Sequence, residues 1–272
     1  MLLAIDSGNT NIVFGLYENS KQITHWRLQN EPQRPADEYI VFLSQWMLLA
    51  GYRLEDISDV IISSVVPDAL FHLKEMVKRH FKNNPIVIGE SGINLGVTIK
   101  IDRPETLGAD RLVNTWGAYR SYGGPLILID FGTATTFDVI DGEGAYVGGV
   151  IAPGVNLSLK ALYEAAAKLP PTAFARTDHV IATTTTTAIQ AGCYWGYVGM
   201  IEGLCARTCE EYRTFHGDAD FTIIATGGLA SVFSKDLDLI QHVNESLTLD
   251  SLAEIYIWLQ QGYNKSFLKK NE

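Results

Sequence analysis

Cysteine is nearly absent from this chain. Only Cys193, Cys205 and Cys209 occur among 272 residues, and an odd number of thiols argues against a disulfide framework. Cys205 and Cys209 stand four apart and share one face of any helix that carries them. No two further ligands lie at a spacing that would complete a metal site, so the three read as buried thiols. Long apolar runs are lacking too. No window stays apolar for the roughly 20 residues that a membrane-spanning helix needs. The chain opens directly on an apolar strand, without the basic segment of a secretory signal, and reads as a soluble cytoplasmic protein.

Positive charge is also scarce. Lys and Arg total 21 against 31 Asp and Glu, a net charge of −10, and no basic stretch offsets it. That disfavours nucleic acid and anionic membranes as partners. Any phosphate-handling function would then need local cations, backbone N–H groups and a few placed Arg or Lys to overcome a repulsive overall field. Familiar catalytic signatures are missing. There is no G-x-x-x-x-G-K-[ST], no H-E-x-x-H and no G-x-S-x-G. Gly142-Glu143-Gly144 does not open a helix after a parallel strand, so no dinucleotide fingerprint is supported. The six histidines are scattered and none sits in a recognisable catalytic setting.

What is present is a repeated phrase. Leu2-Leu3-Ala4-Ile5-Asp6-Ser7-Gly8-Asn9-Thr10-Asn11 is echoed by Leu126-Ile127-Leu128-Ile129-Asp130-Phe131-Gly132-Thr133-Ala134-Thr135. Each copy is an apolar run, then Asp-x-Gly, then hydroxyl or amide residues, then a second apolar run. Repetition at so long an offset means duplicated domains rather than a short-repeat solenoid. Two related lobes facing each other across a cleft are expected, a common way to hold a nucleotide and its metal ion. With 47 % apolar residues the chain can bury a substantial core.

Hydrophobic periodicity predicts strands over 2–6, 12–16 and 23–28, a helix over 37–51, a strand over 60–66 closed by Pro67, a helix over 69–81 and a short strand over 86–88. A helix over 106–122 links the halves, and Gly123-Gly124-Pro125 breaks the chain. The second half repeats the plan: strands over 125–130, 136–140 and 146–151, helices over 156–168 and 188–213, a strand over 221–225 and a closing helix over 253–267. Antiparallel hairpins followed by crossover units predict an α/β fold, with a mixed sheet flanked by helices in each lobe. The lobes are expected at 1–122 and 123–272.

Five constellations can carry chemistry. In Asp6-Ser7-Gly8-Asn9-Thr10-Asn11, the glycine allows a tight turn and lets a phosphate approach backbone N–H groups. Asp6 at the strand end can hold Mg²⁺, and Asn9, Thr10 and Asn11 can donate to phosphate oxygens. The plainer reading is a hairpin loop with polar turn residues; the echo at Asp130 favours function. Asp130-Phe131-Gly132-Thr133-Ala134-Thr135-Thr136 offers the same turn, with Thr133 for a phosphate and Asp130 for a cation, or else a duplicated structural hairpin. Asp138, further along, is expected on the solvent face of its strand.

Gly108-Ala109-Asp110-Arg111 precedes or begins a helix. An Asp can take a proton from an attacking hydroxyl, and an Arg can grip a substrate carboxylate; an ordinary surface pair is the alternative. Thr226-Gly227-Gly228 and the 148–154 segment fit a pocket wall or plain turns. Thr183 to Thr187 are five consecutive threonines before a helix, one of which should cap it.

Together these segments resemble the type III pantothenate kinases, in the acetate kinase, sugar kinase, Hsp70 and actin superfamily. Asp-x-Gly alone belongs to the wider superfamily, whereas Gly108 to Arg111 combined with Asp130 to Thr135 is much more specific. The resemblance implies two ribonuclease H-like (actin-like ATPase) lobes, a homodimer, Mg²⁺, and a monovalent cation, K⁺ or NH₄⁺. It implies ATP-dependent phosphorylation of pantothenate, the first step of coenzyme A synthesis. Carried over by position, Asp6, Ser7, Gly8, Asn9, Thr10, Asn11, Ile12 and Val13 bind ATP phosphates, with Mg²⁺ at Asp6. Asp110 is the proton acceptor, and Gly108, Ala109, Asp110 and Arg111 cradle pantothenate. Asp130 binds the monovalent cation, Thr133 contacts ATP and Thr185 contacts pantothenate, with Thr184 and Thr186 as alternatives. Ser7 stands where many members have Val. Ile101 stands where many carry a substrate-contacting Tyr, which removes a hydroxyl from one pantothenate contact. A non-catalytic nucleotide-binding regulator that kept the cleft is the rival reading, against which the three carboxylates argue. Another small-acid or sugar kinase is a second.

Overall fold

A computed structural model describes residues 1–166 and 169–262. The helices expected over 156–168 and 253–267 therefore run partly outside the described residues. The chain divides into two compact units. Among the described residues, the first holds Met1–Thr98, Asp102–Ser121 and 247–262; the second holds Ile99–Ile101 and those within Tyr122–Ser246.

In the first unit, β1 (Leu2–Ser7), β2 (Asn11–Glu18) and β3 (Lys21–Gln29) form an antiparallel meander. β4 (Asp59–Ser64) and β5 (Ile86–Val87) add in parallel, giving the order β3-β2-β1-β4-β5. Strand alternation splits the apolar residues between two faces. Leu3, Ile5, Phe14 and Ile62 bury against α1 (Ala36–Leu49) and α2 (Pro67–His80) through Tyr39, Leu43, Leu73 and Met76. Leu2, Ala4 and Ile61 bury on the other face against α3 (Ala109–Tyr122) and α7 (Leu247–Gln260) through Val113, Trp116, Leu249 and Leu252. Pro67 occupies the first turn of α2, where its missing N–H costs nothing.

The second unit repeats this plan. β6 (Leu126–Phe131), β7 (Ala134–Ile140) and β8 (Tyr146–Pro153) are antiparallel, and β9 (Thr222–Gly227) and β10 (His242–Val243) add in parallel, in the order β10-β9-β6-β7-β8. α4 (Val155–Ala165), α5 (Thr185–His216) and α6 (Ala230–Phe233) cover one face around Phe131, Phe137, Tyr194 and Phe233. Read from its first strand, each sheet has the same sequence of pairings. Both are a mixed sheet flanked by helices, as the duplication predicts, and match the ribonuclease H-like lobes that the family resemblance implies.

Three expectations need correction. The division at 122/123 places the last helix in the second lobe; α7 instead packs on the first sheet, because its apolar face buries among Leu2, Ala4 and Ile61. Asp138 is not on a solvent face. It lies opposite Leu128 on the same face as Asp130 and is wholly buried. Of the thiols, only Cys205 is buried, while Cys193 and Cys209 are half-buried. No helix among the described residues is long and apolar enough to cross a membrane.

Candidate active site

The first unit gathers its candidate residues at one end of its sheet. Asp6 is the penultimate residue of β1, and its partner on the parallel strand β4 is Ser63. Beyond Ser7 the chain turns tightly, with the Gly8 N–H donating to the Asn11 carbonyl at 3.0 Å. Asn9 and Thr10 project into solvent; Asp6, Gly8, Asn11 and Val13 are half-buried. Ser7 and Ile12 are buried, and the Ile12 side chain sits in the core, so that residue offers a ligand only its backbone.

The Gly108–Asp110 segment reaches the same end. A Cβ on Gly108 would lie 3.3 Å from Val65, the residue after β4, and 2.5 Å from Asp110 Oδ1. Glycine is thus what lets the start of α3 close on the end of β4 and lets the Asp110 carboxylate fold back over the backbone. That oxygen accepts the Arg111 N–H at 2.7 Å. Burial raises the Asp110 pKa above the ordinary carboxylate value, and the Arg111 N–H and guanidinium only partly oppose it. Asp6 at the end of β1 and Asp110 in the first turn of α3 therefore stand at the same end of the sheet, where β1 and β4 run parallel, and burial tunes the Asp110 carboxyl upward.

In the second unit Asp130 occupies the equivalent place at the end of β6, between Thr136 on β7 and Thr226 on β9. The Gly132 N–H donates to the Ala134 carbonyl at 3.0 Å and the Gly154 N–H to the Thr133 carbonyl at 3.1 Å. Thr133 is exposed at the tip of this turn. A Cβ on Gly154 would collide with the Thr133 carbonyl. A Cβ on Gly227 would lie 2.6 Å from Asp130 Oδ1 and 2.7 Å from the Phe131 carbonyl oxygen. The glycines at 154 and 227, which the sequence leaves open as pocket wall or plain turn, thus press directly on the Asp130–Thr133 turn. A carboxylate and a carbonyl oxygen converge on bare glycine, an all-oxygen cradle of the kind hard cations accept.

Thr184 caps α5. Its Oγ1 accepts the Thr187 N–H at 3.2 Å, and the Thr187 hydroxyl answers it in a capping box. Thr184 is therefore spent on the helix, and Thr185 stands exposed in the first turn. Ile101 is half-buried, in a segment joined to the second sheet by the Ile99–Tyr146 bridge and by the Lys100–Asp141 ion pair at 2.7 Å. One neighbour of the first loop gave no motif signal. Asn30, just past β3, hydrogen-bonds its Gly8 and Thr10 carbonyls.

The family model for type III pantothenate kinase matches residues 2–207. A type III pantothenate kinase of Paramagnetospirillum magneticum is 51 % identical over 256 residues, covering 94 % of this chain and 96 % of its own. That of Rhodospirillum rubrum is 50 % identical over 256 residues, covering 94 % and 98 %. Among solved structures, the ethanolamine utilization protein EutJ from Carboxydothermus hydrogenoformans aligns with a TM-score of 0.54 at 14 % identity, covering 92 % of this chain and 88 % of that one, a likeness of fold alone.

Proposed function

This chain belongs to the type III pantothenate kinases and phosphorylates pantothenate with ATP, the first step of coenzyme A synthesis, and from that premise we propose how its residues divide the work. Asp110 is the general base that orients the primary hydroxyl of pantothenate and takes its proton. The observation that carries this assignment is the half-buried Asp110 carboxylate at the start of α3, held above its ordinary pKa by burial. A base in that state matches its proton affinity better to an alcohol than an exposed aspartate does. Gly108, Ala109 and Arg111 cradle the substrate, Arg111 pairing with its carboxylate. Ile101 and Thr185 complete the pantothenate contacts.

The Asp6–Val13 segment receives the ATP phosphates on its N–H groups and on Asn9, Thr10 and Asn11, and Thr133 adds a hydroxyl. Asp6 would hold Mg²⁺, which would supply positive charge against the charge developing on the phosphates. The oxygens of Asp130 and Phe131 fit K⁺ or NH₄⁺. These residues work by positioning and electrostatics, the main resources of phosphoryl transfer. Cation dependence follows from the net charge of −10, which repels a triphosphate unless local charge compensates.

The partner is a second copy of the chain, and the setting is the cytoplasm. α5 supports the first. Gly192, Gly196 and Gly199 lie on one face of this helix, and a Cβ on any of them would meet only open space. Glycine inside a helix costs about 1 kcal/mol against alanine, so together they cost about 3 kcal/mol that close approach of another backbone would offset.

A coupled assay with pantothenate, ATP and Mg²⁺, run with and without K⁺, tests the whole reading. ADP release that requires pantothenate and rises with K⁺ is expected. ATP binding with no transfer to pantothenate would instead mark a nucleotide-binding regulator.

A further inference from the structure

The turn that follows β1 is held from behind by one residue. The Asn30 side chain donates from Nδ2 to the Gly8 carbonyl at 2.7 Å, and the Asn30 N–H donates to the Thr10 carbonyl at 2.8 Å. The end of a carboxamide that faces a carbonyl must be its NH₂. In a trans peptide the C=O and the following N–H point in opposite directions. Fixing the Gly8 and Thr10 carbonyls on Asn30 therefore aims the Asn9 and Asn11 N–H groups away from it.

Asn30 is itself held firmly. It is only 7 % exposed. The chain after it turns through the Arg34 N–H to the Glu31 carbonyl at 2.9 Å. The Arg34 guanidinium is gripped by Glu31 at 2.9 Å and Glu38 at 3.4 Å and lies over the Phe42 ring. Stability alone does not account for the choice of residue. Asn30 Oδ1 is buried without a hydrogen-bond partner, an arrangement that disfavours the fold. What the carboxamide supplies is the donor to Gly8.

We propose that Asn30 is a positioning residue for nucleotide binding, setting two peptide planes of the Gly8–Asn11 turn so that their N–H groups meet the phosphates of ATP. The inference rests on the reading of Asp6–Val13 as the ATP loop. Asn30→Ala removes the donor, and Asn30→Asp keeps the shape but replaces the donor with an acceptor. Each variant is checked for folding by circular dichroism and thermal melting. Calorimetry then follows Mg·ATP binding without pantothenate, and steady-state kinetics the two KM values.

Both variants should weaken ATP about five- to tenfold, the worth of one hydrogen bond, and leave the pantothenate KM within about twofold. Should Asn30→Ala fail to fold, Asn30→Asp carries the test. Wild-type ATP affinity in a folded Asn30→Asp variant, or equal shifts in both KM values, overturns the inference while leaving the loop reading in place. If Asp6→Asn also binds Mg·ATP as the wild type does, the loop reading falls and this inference with it.

Discussion

A Cβ on Gly227 would stand 2.6 Å from Asp130 Oδ1, so the carboxylate proposed for the monovalent cation keeps its place because Gly227, next along β9 from its partner Thr226, has no side chain. Gly227 also has φ +86°, a conformation that L side chains rarely adopt. Gly227→Ala should cost about 1–2 kcal/mol in backbone strain and push the carboxylate off its cradle. The expected outcome is a Tm lower by roughly 2–8 °C and a several-fold higher K⁺ concentration for half-maximal rate. Unaltered K⁺ dependence in the folded variant would remove Asp130 from the cation's coordination.

Gly117 and Ser251 make a comparable pair in the first unit. A Cβ on Gly117 of α3 would overlap the Ser251 hydroxyl of α7, which donates to the Leu247 carbonyl. Gly117→Ala should destabilise the protein by about 3 kcal/mol, the upper end of overpacking. Ser251→Gly should restore much of that loss in the double variant, because it removes the colliding atoms. Urea melts of the single and double variants check this; additive losses would mean that the two helices do not share this contact.

The Asp-x-Gly phrase at Asp6 and Asp130 announced both sheets, since an apolar run ending in a carboxylate and a turn has few other uses. The helix over Asp37 to Gly51 was legible for a similar reason, its apolar spacing matching the helical period. The place of α7 was not legible. An amphipathic helix states that it covers a sheet but not which sheet, and only the match of Leu249 and Leu252 to Leu2 and Ala4 decides. Asp138 misled because a charged residue between apolar neighbours normally marks a solvent face, whereas register with Leu128 turns it inward. Asn30 gave no signal at all, because its partners are backbone carbonyls, which any sequence possesses. The Thr183–Thr187 run predicted a cap; the hydrogen bonds name Thr184.

Residues 169–184 form a strap before α5 without helix or strand, and Arg176 fastens it. Its Nε and Nη2 donate to both carboxylate oxygens of Asp236 at 2.6 and 2.9 Å, and Tyr194 adds its hydroxyl at 2.5 Å. Hydrogen bonds from Arg176 and then Tyr194 push the Asp236 pKa down to about 2. Its folded value lies below the unfolded one, so the contribution is present above the ordinary carboxylate range and lost as pH falls through about 2. Pepsin should therefore leave 169–184 intact at pH near 4 and cut it faster as pH approaches 2. Asp236→Asn should be cut at the higher pH already. Equal cleavage of variant and wild type at both values would show that the strap is secured elsewhere.

Asp110 links stability to chemistry with the opposite sign. Burial raises its pKa in the folded state, so the neutral carboxyl is the form the fold prefers. Its stabilising contribution is complete below the unfolded value and lost as pH rises through the raised folded value. At neutral pH the ionised carboxylate is then a cost that the fold bears. Asp110→Asn removes that charge while keeping its shape. The variant should melt at or above the wild-type temperature at pH 7, with the gain shrinking toward pH 4. Turnover should fall by roughly 10²–10⁴, the usual worth of a general base, while ATP still binds. Wild-type turnover should decline as pH drops through the raised pKa, since only the ionised form accepts the proton. A variant that melts lower at neutral pH would show that Asp110 holds the fold together rather than being held in it for proton transfer.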